Sequence, residues 1–434
     1  MGYDYSKSEY LSKYIDTMTA RLSRMHPDWD VSQIEESVRK ISYEKIQNPL
    51  VNLDNNYTGE NSNASLLTVI DWVEDRKPII AGNGTFYMNQ DEARNPIAQM
   101  LDGFLTTRKK IKKEMFQVKD TKSYRYMDLD LKQSNEKINA NSYYGGSGMP
   151  ASAFYSKWSG GATTGTAQSV ISTTYTTFES FLGDNYIFLD LDECMEWIEH
   201  ALMDEDFEID SFIKEKSVEE VYARLKKHFY KWDDKYEMPL LLYLTGYTKE
   251  ELSRIYYKNN LREFISDHEK ITDLYDSIFQ SIKNYERVNP KDPDWKKKIP
   301  KEMRDDYETP DAWNKFVNVE LFYDPNKLPS TVEDKVKEFS TYLERYVYCR
   351  YLSFDRIHRL KNFFRAVVTI IDTDSNILSL DRWVEFTFDN ILGSSTYGRE
   401  KEGNVFIAVN TITYVITQVV QDILLYYGLH SNIP

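Results

Sequence analysis

The sequence has few of the residues that build disulfide frameworks or metal sites. Its 434 residues include 2 cysteines, Cys194 and Cys349, which lie in different regions and form no CxxC pair. No disulfide framework and no zinc site follows from them, and we expect a reducing compartment. The six histidines show no metal-ligand spacing, which argues against a histidine-based metal site.

The sequence also lacks an excess of positive charge and any long apolar run. Its net charge is −15, which argues weakly against a compact nucleic-acid binder, although binding depends on the local field of a cleft. The N-terminal residues are polar and carry no apolar signal region. The most apolar stretch, VFIAVNTITYVITQVV, is broken by Asn and Thr, so we expect no membrane span. These features predict a soluble intracellular protein.

The remaining composition is that of a folded, mainly helical protein. Apolar residues make up 41% and aromatic residues 14% of the chain. Apolar spacing predicts helices over 8–48, a helical pair near 96–116 and 131–144, and mainly helices from 192 to 360. The Asn- and Gly-rich residues 50–65 are predicted to form a loop. The late stretch AVVTIIDTDSNILSL is β-branched around a polar tip, which predicts a β-hairpin. We therefore expect an α+β fold that is mainly helical.

The helical pair near residues 96–144 gathers cations in an otherwise acidic chain. Positions 108 to 125 hold eight lysines or arginines and only two acidic residues. Arg108 and Lys112 are four residues apart and share a helix face, while Lys137, Asn141 and Tyr144 lie within ~60° of one another. A solvated basic helix is the simplest interpretation. Two antiparallel helices that both present cations would instead form a cleft for a triphosphate, with the Asn and Tyr supporting a sugar or base.

A second constellation lies at the tip of the predicted hairpin. Asp372 and Asp374 are two residues apart, so in a strand both would point to one face. Two neighbouring carboxylates are costly unless a cation neutralises them, and magnesium prefers such oxygen ligands. An ordinary turn is the alternative interpretation.

The chain contains other stretches that resemble functional motifs, and we assign them structural roles. Asp128 with Asp130, and Asp190 with Asp192, have the same spacing as the hairpin pair but are predicted to cap helices, with Asp130 starting the second helix of the pair. The glycine stretches GGSG and SGGATTGTA lack a following Gly-Lys-Ser/Thr, so we expect a helix stop and a flexible linker rather than a phosphate loop.

Taken in order, these motifs resemble those of a family B DNA polymerase. The second fingers helix of that family carries Lys-x-x-x-Asn-Ser-x-Tyr-Gly, matched here by Lys137, Asn141, Ser142, Tyr144 and Gly145. Its first fingers helix has a proline-led apolar pattern before Arg-x-x-x-Lys, matched here by Pro96, Leu101, Leu105, Arg108 and Lys112. The family's palm hairpin reads Tyr-Gly-Asp-Thr-Asp-Ser, where this chain has Ile370, Ile371, Asp372, Thr373, Asp374 and Ser375.

The resemblance implies a role for each matched residue. The Arg108, Lys112 and Lys137 side chains would hold the triphosphate of a deoxynucleoside triphosphate. Asn141 would assist at the phosphates, and Tyr144 would pack beneath the sugar and discriminate against a 2′-hydroxyl. The substrates would be these nucleotides and primer-template DNA, and two Mg²⁺ ions would be bound.

For the metal ions, the resemblance implies that Asp374, with Asp372 beside it, acts as catalytic ligand and that a partner-chain Asp completes the site. The long helical stretch between motifs resembles the polymerases of large tailed bacteriophages, so the expected location is the cytoplasm of an infected bacterial host. The resemblance implies five parts. They are an N-terminal helical or mixed segment over 1–95, a fingers hairpin over 96–148, a palm segment over 149–204, a helical insertion over 205–360 and a palm segment with the Asp-Thr-Asp hairpin over 361–434.

The chain departs from the family pattern in ways that predict a split polymerase. Ile370 and Ile371 replace the family's Tyr-Gly, which puts primer-end contact there in doubt. The motif A aspartate should precede the fingers, and only Asp4 in a helical pattern offers an echo of it. Exonuclease and thumb motifs are also not found. We therefore expect a fragment that becomes active only with partner chains carrying those parts. The alternatives are a polymerase-derived, non-catalytic DNA-binding or replisome scaffold and a helical interaction protein whose motifs are coincidental.

Overall fold

The computed structural model describes thirteen ranges of the chain, which are 9–45, 50–55, 58–89, 95–118, 120–184, 188–203, 209–229, 231–283, 287–317, 330–347, 365–372, 375–391 and 402–426. The chain divides into two compact units. Unit 1 comprises Met1–Tyr3 and Ile46–Val170, and unit 2 comprises Asp4–Lys45 and Ile171–Pro434. The expectation of a mainly helical α+β protein is confirmed. The five-part division stays a prediction.

Unit 1 begins with two small antiparallel hairpins around a helix. Strands β1 (Leu50–Asp54) and β2 (Asn61–Ser65) pair, helix α3 (Leu66–Arg76) follows, and β3 (Ile79–Ile80) pairs with β4 (Phe86–Tyr87). The prediction of a loop over 50–65 is wrong. Both ends of this stretch form paired strands, and Gly59 between them takes the positive φ of 73° that glycine tolerates best.

Two long helices follow, close to where the sequence placed them. Helix α4 (Pro96–Gln117) begins with Pro96 behind the Asn95 cap, as a proline in the first turn favours. Helix α5 (Tyr124–Gly148) is capped by the Ser123 side chain, which accepts a hydrogen bond from the Tyr126 N–H. The predicted Asp130 cap is therefore wrong. A serine cap starts the helix earlier, so Asp128 and Asp130 both lie inside it.

Helix α6 (Lys157–Phe181) contains the SGGATTGTA stretch, so the predicted flexible linker is wrong. Within unit 1 its small residues serve close packing. A methyl group added at Gly82 would lie 2.6 Å from the Gly165 carbonyl oxygen, and one added at Gly165 would lie 3.1 Å from Asn83 Cβ. Residues 82 and 83 approach the surface of α6 so closely that a side chain at Gly165 would crowd them. The glycines of α6 therefore allow this close packing while remaining part of the helix.

Unit 2 holds most of the remaining helices and one two-stranded sheet. The first two helices, α1 (Glu9–Met25) and α2 (Val31–Lys45), confirm the helical pattern predicted over 8–48. Asp30 caps α2 by accepting a hydrogen bond from the Gln33 N–H. The described elements of this unit are α1 (Glu9–Met25), α2 (Val31–Lys45), α7 (Leu191–Met203), α8 (Val218–His228), α9 (Glu237–Leu244), α10 (Lys249–Tyr257), α11 (Leu261–Asp267), α12 (Glu269–Lys283), α13 (Pro310–Lys315), α14 (Ser330–Tyr342), β5 (Val368–Asp372), β6 (Ser375–Leu378), α15 (Asp381–Phe386) and α16 (Glu402–Tyr426).

Two apolar clusters form the core of unit 2. The larger cluster joins α11, α12, α14 and α16 and buries large aromatic side chains, among them Trp313, Phe339 and Trp383. The smaller cluster joins α7 to α10 around Trp197 and Phe229. Aspartate 190 caps α7, as predicted, by accepting a hydrogen bond from the Glu193 N–H.

One helix in the described part of the chain is long and apolar enough to cross a membrane by length and composition alone. This window is Asn404–Gln421 in α16, and 61% of it is buried inside the protein. A buried core helix of a water-soluble domain meets the same criteria, so the window is weak evidence for a membrane span.

Candidate functional site

Helices α4 and α5 form an antiparallel hairpin whose register is set by side-chain contacts. Arg125 Nη2 lies 3.2 Å from Glu114 Oε2 near the turn, and Arg108 Nε donates to Gln133 Oε1 over 3.2 Å farther along. The Leu129 side chain is buried in this hairpin. The hairpin thus holds its two helices by a narrow apolar seam and a few polar contacts.

This register places the side chains predicted to bind the triphosphate in neighbouring turns of the two helices. Gln133 bonds Arg108, and Lys137 follows Gln133 on α5 by one turn. Lys112 lies one turn from Arg108 in the opposite direction along the hairpin. The three cations are therefore spread over about two helical turns, about 11 Å.

These cations differ from two other cations of the hairpin, which are paired with carboxylates. Lys132 on α5 lies 2.8 Å from Asp128, and Arg125 is bonded to Glu114. Within the described ranges, Arg108, Lys112 and Lys137 form no ion pair. Arg108 bonds a neutral amide, and the Lys112 ammonium lies 5.8 Å from the Phe116 ring centroid. Lys137 is exposed to solvent. Three adjacent cations therefore keep their charge available to an anion.

The two remaining predicted residues lie on the same face of α5 as Lys137, at positions four and seven residues along the helix. Asn141 is exposed and makes no hydrogen bond to the described residues. Tyr144 is 48% exposed, and its hydroxyl lies 2.7 Å from Thr164 Oγ1 of α6. The face can therefore present a cation, an amide and a phenol to one ligand, and the assignment of these residues to a nucleotide stays a prediction.

The predicted β-hairpin in unit 2 is confirmed, with Asp372 at the end of β5. Asp372 pairs with Ser375 across the tip, and Asp372 is exposed. Asp374 lies outside the described residues. The strand alternation that predicted both carboxylates on one face applies only as far as Asp372, where β5 ends.

Sequence reasoning missed the residue that anchors this strand, Glu179 on α6. Its carboxylate is fully buried and accepts hydrogen bonds from three consecutive backbone N–H groups, those of Ala366, Val367 and Val368, at 2.8, 3.1 and 2.7 Å. These amides immediately precede or begin β5, so Glu179 fixes the start of the strand that ends in Asp372. A lone acidic residue within the apolar stretch YTTFESFLG was the available signal.

The two isoleucines that replace the family's Tyr-Gly take different positions. Ile371 packs with Tyr175 and Val368 in a small apolar cluster between α6 and the sheet. Ile370 is 56% exposed and pairs across the strands with Ile377, which is 55% exposed. Ile370 is two residues from Asp372 and shares its exposed strand face. The face that carries the aspartate is therefore apolar beside it.

The donor chemistry at the tip suits magnesium, but the described residues do not complete a site. Asp372 supplies the hard oxygen ligands that magnesium prefers. Within the described ranges, however, no group of three or more His, Cys, Asp or Glu residues could hold a metal ion. One carboxylate alone does not fix an ion, so the two-ion centre implied by the resemblance requires ligands beyond those described.

Comparison with known proteins gives one family. A family model described as Divergent Family B DNA polymerase matches residues 3–430. Neither the curated proteins nor the solved structures contain a match to this chain. The match spans both units, including the α4–α5 hairpin and the β5–β6 hairpin. The chain belongs to the divergent family B DNA polymerases.

Proposed function

We propose that the α4–α5 hairpin binds the triphosphate of an incoming deoxynucleoside triphosphate. The observation that carries this proposal is the hairpin register, which brings Arg108, Lys112 and Lys137 within about two helical turns of one another. None of the three has a carboxylate partner among the described residues. Charge-assisted hydrogen bonds to phosphate oxygens would satisfy the three cations, and arginine can bind two oxygens at once.

The proposal extends to the rest of the α5 face. Asn141 lies one turn beyond Lys137 and would donate its amide N–H groups to a phosphate oxygen. Tyr144 lies about one turn farther and would pack against the sugar, which follows the phosphates in a nucleotide. The order of side chains along α5, cation then amide then phenol, matches the order of chemical groups along such a ligand.

We further propose that the chain takes part in template-directed nucleotidyl transfer on primer-template DNA. Asp374, with Asp372, would hold magnesium, which would stabilise the negative charge that develops during the transfer. The described residues contribute Asp372 to this centre, and Glu179 holds the strand beneath it.

We propose that a partner chain supplies the missing aspartate, the exonuclease and the basic thumb. Three observations support this requirement. No cluster of three metal-ligating side chains exists in the ranges described, and β5 and β6 pair only with each other there. Ile370 and Ile377 also leave an apolar sheet face exposed. An incomplete sheet of this kind accepts a further strand. A cytoplasmic location and a bacteriophage origin stay predictions.

The test is primer extension with magnesium by the chain reconstituted with its partner. Asp374→Asn should abolish extension without preventing assembly, because the amide loses the charge that the metal requires. Asp192→Asn, in the first turn of α7, is the matched control from another Asp-x-Asp pair and should extend normally. Extension by Asp374→Asn at the wild-type rate would remove this residue from the catalytic centre.

The isolated chain provides the second arm of the test. We expect it to extend no primer alone and to bind its partner tightly. Robust synthesis by a purified monomer, verified by size measurement, would contradict the requirement for a partner.

A non-catalytic scaffold is the second candidate function, and one observation favours it. Ile370 and Ile371 stand where the family has Tyr-Gly, and the exposed Ile370 places an apolar surface beside Asp372. A scaffold would bind DNA or replication proteins without transferring nucleotides. It predicts equal DNA binding and no extension by wild type and Asp374→Asn, even in the assembled complex.

A further inference from the structure

A cleft of about 600 Å³ opens between the end of α5 and the start of α6, entirely within unit 1. Its lining includes Tyr144, Gly148, Lys157, Gly161 and Thr164. This volume lies in the range of small-molecule binding sites. The cleft lies on the C-terminal side of Lys137 and Asn141 along α5, at the end of the face that the proposed function gives to the nucleotide.

Two hydrogen bonds at the cleft fix the role of the tyrosine hydroxyl. Thr164 Oγ1 donates to the Gly160 carbonyl oxygen over 3.1 Å, and Tyr144 Oη lies 2.7 Å from the same Oγ1. A threonine hydroxyl has one proton, which Gly160 accepts, so the phenol must donate its own proton to Thr164. The phenol oxygen then has lone pairs to offer but no proton. A ligand group that reaches it must be a hydrogen-bond donor.

Two glycines leave open space in the wall of the cleft. A methyl group added at Gly145 or Gly148 would meet no atom within 4 Å, although both residues line the cleft. By contrast, a methyl group at Gly161 would lie 3.3 Å from the Asn83 side chain, so that glycine serves packing. Gly145 and Gly148 therefore leave the backbone open to close approach by a ligand.

We propose that Thr164 is a positioning residue for Tyr144, holding the phenol at the cleft so that its oxygen faces the sugar which the proposed function places there. The inference rests on the proposed function, because the cations at Lys137 and Arg108 place the phosphates one or more turns away along the hairpin. The sugar adjoins the phosphates and carries a 3′-hydroxyl, which is a hydrogen-bond donor. Thr164 orients the phenol so that its oxygen accepts from this hydroxyl.

The test compares dissociation constants of a deoxynucleoside triphosphate and its 2′,3′-dideoxy analogue, measured by titration calorimetry on the full chain. In the wild type the analogue should bind about fivefold more weakly, the effect of one neutral hydrogen bond. Thr164→Val and Tyr144→Phe should reduce this ratio to about one, and Thr164→Ser should restore it. A wild-type ratio that persists in Thr164→Val would overturn the role of Thr164, since a purely structural residue would not change the ratio.

Glycine variants test whether the sugar binds in the cleft. Gly148→Ala should weaken both nucleotides, because the added methyl group occupies space the sugar needs. Gly103→Ala on α4 is the matched control, since its methyl group would also meet no atom within 4 Å but lies outside the cleft lining. Equal binding by the two variants would overturn the placement of the sugar.

The failures of this inference and of the proposed function are distinguishable. If the wild type binds no nucleotide, the proposed function fails and the inference fails with it. If Lys137→Ala weakens nucleotide binding while Thr164→Val and Gly148→Ala change nothing, the proposed function holds and only the sugar site is refuted.

Discussion

Three cations of the α4–α5 hairpin and the buried cations in the core of unit 2 differ in how they are neutralised. In unit 2, the Arg21 side chain is 3% exposed, lies 3.2 Å from Glu199 and stacks 3.3 Å from the centroid of the Tyr243 ring. Lys216, also buried, lies 2.6 Å from Asp267. In the hairpin, Arg108, Lys112 and Lys137 reach no carboxylate among the described residues.

The difference separates charges that serve stability from charges that remain for a ligand. A buried charge must be paired, because an unpaired one costs several kcal/mol. A solvent-exposed cation costs little when unpaired, so its position is free to suit a binding partner. Within the described ranges, Lys109, Lys110 and Lys113 also have no carboxylate partner. The register of the hairpin, together with the absence of a carboxylate partner, therefore groups Arg108, Lys112 and Lys137 as candidate phosphate ligands.

The largest effect is expected at Glu179, the buried carboxylate of unit 2. Glu179→Ala leaves three backbone N–H groups, two of them buried, without their acceptor and should lower the free energy of unfolding by about 3–6 kcal/mol. Urea denaturation measures this loss. Glu179→Gln keeps one acceptor oxygen and should lose less. A change below about 1 kcal/mol for the alanine variant would contradict the anchoring role.

Acid should destabilise the core of unit 2 through its buried histidines. Burial lowers the pKa of His228 and of His268 to about 4. The unfolded chain, with ordinary histidine pKa values near 6.5, then binds more protons than the folded chain, so stability is present above pH 6.5 and falls as pH drops toward 4. Each histidine should cost about 2 kcal/mol between pH 7 and pH 4.5.

The check is the pH dependence of urea denaturation. His268→Leu should make the free energy of unfolding less sensitive to pH in this window than that of the wild type. An unchanged dependence would show that His268 is not held neutral in the folded protein.

The smallest effect is expected from the paired cations of the hairpin surface. Arg125→Ala removes one exposed ion pair with Glu114 and should change the free energy of unfolding by less than about 1 kcal/mol. Thermal unfolding of the variant and wild type measures the difference. A loss of several kcal/mol would mean that ion pairs, rather than the apolar seam around Leu129, hold the hairpin together.

The sequence predicted the elements whose signal is local. The first helix of the pair has a proline in its first turn, the hairpin of β5 and β6 has β-branched residues around a polar tip, and both were placed correctly. The second helix begins earlier than predicted. Ser123 caps it, and Asp130, which was predicted as the cap, lies inside the helix. The hairpin of β1 and β2 was predicted as a loop because the stretch from residue 50 to 65 is rich in Asn and contains Gly59, and strands ordinarily contain few of these residues.

Parts of the site that depend on contacts distant in sequence could not be predicted. Glu179 bonds backbone N–H groups nearly two hundred residues away, and no spacing rule connects such partners. The bond from Tyr144 to Thr164 joins two helices across a glycine-rich segment that resembled a linker. The shared faces on α4 and α5 were predictable because a helix repeats every 3.6 residues.

The central claim, that the hairpin binds the triphosphate, is tested most directly by nucleotide binding without catalysis. Titration calorimetry of a deoxynucleoside triphosphate would compare the wild type with Lys137→Ala and with Lys132→Ala, two exposed lysines on one helix. We expect Lys137→Ala to raise the dissociation constant at least about tenfold, since it removes a charge-assisted bond, and Lys132→Ala to change it less than about twofold. Equal dissociation constants for the two variants would contradict the claim and leave a solvated basic helix.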